Sequence, residues 1–509
     1  MKAFLLHRDR NFNFKADLCA NAASLTEDLG LETLFQTMAD GDPFVEDIAR
    51  HVVLTAAPTT VEEIRYRQQI LADCNDRTAS AIRQIFALAG EALEKEKHIH
   101  VGIFRDSPEA VLHRSIEVLK VVLEVLKRMR AHVESNRNAF VSEGFSTAFS
   151  SLLTQLDDDY FAVIEDHLKR LGFRGGVLIS AELGAGNKGS NYTLRKPPPR
   201  PGWLKQAADW VLDKGADTYS FQLPPRDDAG FQALSRLRDH GLAIAAAALG
   251  EAVTHVMRFI ETMRAELAFY IGCLNLRETL QQLNCAVCQP DPAPIEDDAF
   301  SCRALYDVCL ALELKKAIGG NTIEALGKRL AVITGANQGG KSTFLRSVGL
   351  AQLMLQSGMF VAAENFTANI VSGVFTHYKR EEDAEMGSGK FDEELTRMST
   401  LIDLIAPRAL VLFNESFAST NEREGSEIAR QIVEALLQQV SKVFFVTHMF
   451  ELAESLRQEP PRPAIFLRAE RDDEGRRSFR LTEGEPLATS YGADLYDAIF
   501  PQDADTQPA

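Results

Sequence analysis

The densest chemistry in the chain lies in one octet, Gly335-Ala-Asn-Gln-Gly-Gly-Lys341-Ser342, which satisfies the spacing G-x-x-x-x-G-K-[ST]. Glycine at 335, 339 and 340 lets the backbone curl until its N–H groups face inward, and a helix starting near Lys341 adds the positive end of its dipole. Such a cradle suits phosphate oxygens. The Lys341 ammonium is long enough to reach β and γ phosphates, and the Ser342 hydroxyl is a hard oxygen ligand for Mg²⁺. Further along, Ala409-Leu-Val-Leu-Phe413 runs into Asn414-Glu415. In phosphate-binding folds of this kind, one group at that strand end binds the metal and the next orients the attacking water. Glu415 is the candidate water-activating carboxylate. Asn414 offers only a neutral carbonyl oxygen to a hard cation, so slow hydrolysis or a water-bridged metal contact is expected. A third apolar run, Val443 to Thr447, ends in His448, whose near-neutral pKa suits it to sense a γ phosphate or, more simply, to cap the next helix.

These groups need elements to hold them. Leu330 to Thr334 reads as the strand entering the loop, and Thr343 to Gln356 as the helix leaving it, ending at Gly358. The three short continuous apolar runs predict buried strands of a mostly parallel sheet, so the C-terminal half is expected to be α/β. The N-terminal half reads as mainly α-helical. Ser107-Pro108 starts a helix carrying Leu112, Ile116, Leu119, Leu123 and Leu126 on one stripe, and Val256, Ile260, Met263, Leu267, Tyr270 and Leu274 mark another. Between them sits a small β insertion. Val177 to Ser180 and Asn191 to Leu194 flank Gly184-Ala-Gly-Asn-Lys-Gly189, which reads as a glycine-rich hairpin because no βαβ helix follows its formal GxGxxG. A proline run at 196–201 then acts as a stiff connector. Arg195, Lys196 and Arg200, with Tyr192 and Trp203, form either a solvated loop or a contact to a nucleic-acid backbone. The expected divisions are a helical region 1–174, the β and proline-rich insertion 175–225, long helices 226–288, the α/β domain 296–500 and a frayed tail 501–509.

Composition narrows the class. The 509 residues carry 55 Lys and Arg against 72 Asp and Glu, a net charge of −17, which excludes a generally cationic coat while leaving room for a local basic groove. An apolar content of 45% with 25% charged residues excludes a disordered or fibrous chain. No uninterrupted apolar run approaches the roughly 18 residues of a membrane span, and Met1 to Phe14 does not read as a signal peptide. A cytoplasmic protein with no membrane partner is the expectation. Seven cysteines in so long a chain form no disulfide framework. Cys285 and Cys288 form a CxxC with Cys302 and Cys309 downstream, an alternative zinc set, and His98 with His100 is a weaker metal pair.

The C-terminal half resembles the ATPase domain of the MutS family of DNA mismatch-repair proteins, which belongs with the ABC-type P-loop ATPases. Leu330 to Thr343 is similar to the family's Walker A, including the internal Asn337. Phe391 to Leu401, preceded by Gly387-Ser-Gly-Lys390, resembles the signature region, and Asn414 to Thr420 with Glu424-Gly425 resembles the acidic pair and D-loop. Phe445 to Leu452 is close to the switch segment, and Thr489-Ser-Tyr-Gly492 to a C-terminal motif near the dimer interface. Helices from about Phe231 look like the family's lever helices.

The resemblance implies ATP and Mg²⁺ as cofactors, with Gly335, Asn337, Gly339, Gly340, Lys341, Ser342 and Thr343 on the nucleotide and Ser342 with Asn414 on the metal. Glu415 and His448 would be catalytic. Ser388, Gly389 and Lys390 would touch nucleotide across a homodimer, and DNA would be the partner gripped on ATP binding. Asn414 departs from the family's Asp, and Gly389-Lys390 from its hydroxyl residues. Only about 300 residues precede the ATPase region, too few at usual domain sizes for reader, connector, lever and clamp together. The Phe-x-Glu triplet of the mismatch reader occurs at Phe44, Phe259 and Phe391 alike and so identifies nothing. Two alternatives to a DNA-gripping ATPase remain: an ATP-gated clamp or scaffold with little turnover, and another ABC-type chromosome-associated ATPase.

Overall fold

The computed structural model describes residues 3–55, 59–99, 107–171, 179–183, 189–194, 228–335, 338–380, 389–471 and 477–486. Asn337, Ser388, the proline run, Thr489 to Gly492 and the tail lie outside the described residues. Helices α1 to α8 are Ala22–Leu29, Leu31–Ala39, Pro43–Val53, Val61–Asp73, Ala79–His98, Pro108–Asn136, Glu143–Gln155 and Asp158–Leu171. Strands β1 (Ile179–Leu183) and β2 (Gly189–Leu194) and helix α9 (Asp228–Gln282) follow, then β3 (Asp291–Ala293), β4 (Phe300–Leu305), α10 (Val308–Leu314), β5 (Asn321–Glu324), β6 (Leu330–Thr334) and α11 (Lys341–Gln356). The chain continues through β7 (Asn365–Asn369), β8 (Val374–Tyr378), α12 (Lys390–Leu404), β9 (Leu410–Asn414), α13 (Glu422–Gln438), β10 (Lys442–Val446), α14 (Phe450–Gln458), β11 (Ala464–Arg471) and β12 (Arg477–Glu483).

Contacts divide the chain into two compact units. The first comprises Met1–Ala3, Gln84–Arg137 and Phe149–Arg264. Its α6 begins with Pro108 in the first turn and Ser107 as N-cap, the Ser107 hydroxyl accepting from Ala110 N–H at 3.2 Å. The expected stripe from Leu112 to Leu126 is buried, continues through Met129 and Val133, and packs against α8. β1 and β2 pair antiparallel.

The second unit comprises Phe4–Arg83, Asn138–Ala148 and Ala265–Ala509. Its main sheet has the order β12-β11-β6-β10-β9-β8, parallel throughout except for the β11–β12 edge pair. Every residue of β6, β8 and β10 is buried, as strands covered on both faces require. A second, mixed sheet has the order β3-β7-β4-β5. Helix α1 packs on β8 and α11, and the Asn21 side-chain amide donates to Val374 O at 2.7 Å. Helix α11 approaches closely: a Cβ at Gly349 would lie 2.8 Å from side-chain atoms of Leu29 and of Leu412.

By length and composition, Leu242–Gln282 would qualify as a membrane-crossing helix, which the apolar-run criterion did not register. Within the second unit, its residues 265–276 are buried without interruption. Enclosure on all sides accounts for the apolar make-up of residues 265–276, whereas only 33% of the membrane-length apolar window is buried. One acid breaks the run. Glu266 is fully buried and its carboxylate accepts from the backbone N–H groups of Leu5 and, at 2.9 Å, of Phe12, while Tyr270 Oη donates to Leu5 O at 2.6 Å. Glu266 therefore ties the N-terminal segment to the helix.

Burial pushes the Glu266 carboxyl up to about 7, against the opposing pull of the backbone N–H groups and Arg67. The folded chain thus holds this proton more tightly than the unfolded chain, so the group's contribution to stability falls as pH rises from about 4.5 to 7, by about 3 kcal/mol at most. Denaturant titrations between pH 5 and 7.5 should show that slope in the wild-type chain, and Glu266→Gln should flatten it.

Candidate active site

The register of three parallel strands brings the predicted groups to one edge of the main sheet. Val446 of β10 pairs with Ile333 of β6 and with Asn414 of β9, so the loops after all three leave side by side. Thr447 N–H donates to Ile333 O at 3.0 Å and Glu415 N–H to Val446 O at 2.9 Å, extending the pairing past the strand ends. The carboxyl edge of a parallel sheet is where ligands bind in open α/β folds.

Between β6 and α11 the backbone takes conformations that favour glycine. Gly335 has φ +109°, and a Cβ there would lie 2.9 Å from Ala469 N. Gly340 has φ +88°, and a Cβ there would lie 3.2 Å from Phe479 O. Gly340 occupies the N-cap of α11 and makes no side-chain cap hydrogen bond, the kind of helix start that suits an anion. A cleft of about 700 Å³ lies here, lined by Gly339, Gly340, Lys341, Ser342, Thr343 and Glu415. Leu310, Leu314, Ile318, Asn321 and Phe479 line it too.

Lys341 is 4% exposed, and its Nζ donates to Gly335 O at 2.8 Å across the loop. Burial lowers its pKa, partly offset by Glu415. The Ser342 hydroxyl donates to Asn414 Oδ1 at 2.8 Å, so both residues assigned to a metal are already in contact. Two neutral oxygens, a buried ammonium and helix-end N–H groups fit a polyphosphate with a hard cation, the phosphates supplying the negative charge. Glu415 lies in the cleft, and its carboxylate is 3.9 Å from His448 Nδ1, with both side chains partly exposed. His448 precedes the α14 N-cap, which is Met449.

Glu415 (φ +56°) and Phe417 (φ +65°) are both non-glycine residues in the left-handed region, at about 1–2 kcal/mol each. Such strain persists only where surrounding contacts impose it. Gly389 and Lys390 start α12 exposed and are not among the residues lining the cleft. Among the described residues, no group of three or more His, Cys, Asp or Glu side chains could hold a metal, and Cys285, Cys288, Cys302 and Cys309 are free thiols.

Sequence reasoning missed Phe479. It sits on the edge strand β12 with φ +56°, is 56% exposed, and lines the cleft beside Gly340. Its only trace in the sequence is a lone aromatic among charged neighbours, Arg477-Ser-Phe-Arg480. The stretch from α10 to Ile318 that lines the cleft was equally missed, because it carries no local motif.

Known proteins extend this picture. Residues 59–283 match the family model described as MutS2 N-terminal domain, and residues 331–502 match MutS domain V. The first match shows that the family likeness reaches well before the helices near Phe231. MutS protein homolog 4 of Homo sapiens is 33% identical over 141 residues, 28% of this chain and 15% of that protein. The DNA mismatch repair protein MutS of Thermotoga sp. (strain RQ2) is 39% identical over 127 residues, 25% of this chain and 16% of that protein. That of Chloroflexus aurantiacus (strain ATCC 29366 / DSM 635 / J-10-fl) is 34% identical over 165 residues, 31% and 17% respectively. The matched segment thus spans only about a sixth of the length of each of these relatives. The domain V match lies on a P-loop α/β domain, the MutS2 match on the helical N-terminal half, and the chain belongs to the MutS family.

Proposed function

We propose that this protein binds ATP with Mg²⁺ and hydrolyses it, as a homodimer that couples nucleotide occupancy to the gripping of DNA. The observation that carries the ATP reading is the Ser342–Asn414 contact, set between the helix-end cradle and Glu415. The N–H groups at the start of α11 hold phosphate oxygens. Lys341 exchanges its Gly335 carbonyl partner for a phosphate oxygen, and Ser342 and Asn414 present oxygens to the metal. Mg²⁺, when bound, would neutralise charge that builds up on the phosphates. Glu415 accepts a proton from the water that attacks the γ phosphorus as the bond to the β–γ bridging oxygen breaks and ADP leaves, and His448 stands beside it as a polar partner. Phe479 offers a base platform at the mouth of the cleft.

The DNA and dimer parts rest on family membership and on the printed function of the MutS relatives. Lys390 is exposed and is not among the residues lining its own chain's cleft, a placement compatible with contact to a second copy's nucleotide. A clamp with little turnover is the second reading, and Asn414 favours it, since a neutral amide holds Mg²⁺ more weakly than a carboxylate.

Glu415→Gln should lower the steady-state ATPase rate by about 10²-fold or more with nucleotide affinity retained. An unchanged rate would remove Glu415 from the mechanism. Asn414→Asp should raise turnover and lower the Mg²⁺ concentration needed for half-maximal rate. Loss of the stacking platform in Phe479→Ala should weaken ATP binding by roughly tenfold in a fluorescence titration. DNA binding should fall steeply between 50 and 200 mM salt, a dependence that backbone contacts impose; no binding at low salt would point to a protein partner.

A further inference from the structure

The strained turn that carries Glu415 is held from three sides. Ser416 is fully buried: its hydroxyl donates to His377 O at 2.6 Å and lies 2.8 Å from His377 Nδ1, while His377 Nε2 lies 3.3 Å from Glu394 O. Burial lowers the His377 pKa to about 4, with Arg397 adding to the effect, so the ring is neutral. The Phe417 ring is fully buried and stacks on that imidazole at 5.3 Å and 14°. Gly425 of α13 closes the second side, since a Cβ there would lie 2.2 Å from Phe417 O.

The third side is a carboxylate. Glu394 of α12 is 6% exposed, and its Oε1 accepts from Phe417 N–H at 2.6 Å. That N–H belongs to the second left-handed residue, two positions after the cleft carboxylate. A buried acid is costly to keep unless its bonds are needed, and this bond fixes a backbone conformation that Phe417 would not adopt alone.

We infer that Glu394 is a positioning residue for Glu415: through the Phe417 N–H it locks the 415–417 turn and so aims the Glu415 carboxylate at the site of water attack. The inference rests on Glu415 being the water-activating group. It also makes α12, the helix that opens with Gly389-Lys390, the element whose placement sets that aim. Movement of α12 changes the direction of Glu415 without touching the phosphate cradle.

The test compares full-length wild type, Glu394→Ala, Glu394→Asp and Glu394→Gln. Single-turnover ATP hydrolysis, ATP affinity and hydrogen exchange across residues 414–420 are the readouts. A misaimed carboxylate should cost about 10²-fold in the hydrolysis rate of the Ala and Asp variants, with ATP affinity within about threefold of wild type and faster exchange in 414–420. Gln keeps an acceptor oxygen at the same reach and should recover most of the rate and the slow exchange.

Wild-type rate in the Ala variant overturns the inference, as does equal loss in Gln and Ala. If Glu394→Ala does not fold, Asp decides the matter: one methylene shorter, it withdraws the acceptor while keeping the charge, and a wild-type rate in it overturns the inference. If the wild-type protein itself does not hydrolyse ATP, the proposed function falls. Exchange then decides separately whether Glu394 holds the turn, and unchanged exchange in the Ala variant means it does not.

Discussion

Everything at the candidate site depends on one register. Val446 stands opposite Ile333 on one side and Asn414 on the other, so the ends of β6, β10 and β9 come level. A slip of one residue in either pairing would turn alternate side chains to the opposite face and carry Asn414 or His448 away from the cradle. The register is itself fixed by burial. Residues of all three strands are enclosed on both faces, with Val332, Val411, Phe413, Val443 and Phe445 in one apolar cluster under α12, α13 and α14. The core therefore specifies the site: packing behind the sheet determines which polar groups meet at its edge.

How much of this was legible in the sequence follows from the range of each interaction. The octet from Gly335 to Ser342 and the run Leu330–Thr334 were readable because loop chemistry and a buried strand are local patterns. The pair Asn414-Glu415 was readable from its position after an apolar run, although β9 runs one residue further, Asn414 pairing with Val446. Helix α9 was only partly legible. Its stripe at Val256 to Leu274 was seen, yet from Ala265 to Leu276 the helix is buried all round, and periodicity has little contrast to detect there. Asn21 against Val374, 353 residues apart, left no local trace, and neither did Phe479 at Gly340. Glu394 read as one more acid in Asp392-Glu393-Glu394, because nothing within a helix shows that one of three carboxylates is buried against a distant backbone N–H.

Asn414 has a consequence for the order of events on the proposed reading. With a carboxylate there, a divalent cation would find a charged ligand before any nucleotide arrived. With Ser342 and Asn414 as neutral oxygens already bonded to one another, the attraction for a hard cation comes mainly from the phosphates. Metal and nucleotide must then enter together, and the buried Lys341, tied to Gly335 O, is the fixed charge that awaits them. The Ser342 hydroxyl gives its hydrogen to Asn414 Oδ1 and keeps its lone pairs for a cation, so this bond orients the hydroxyl oxygen without having to open.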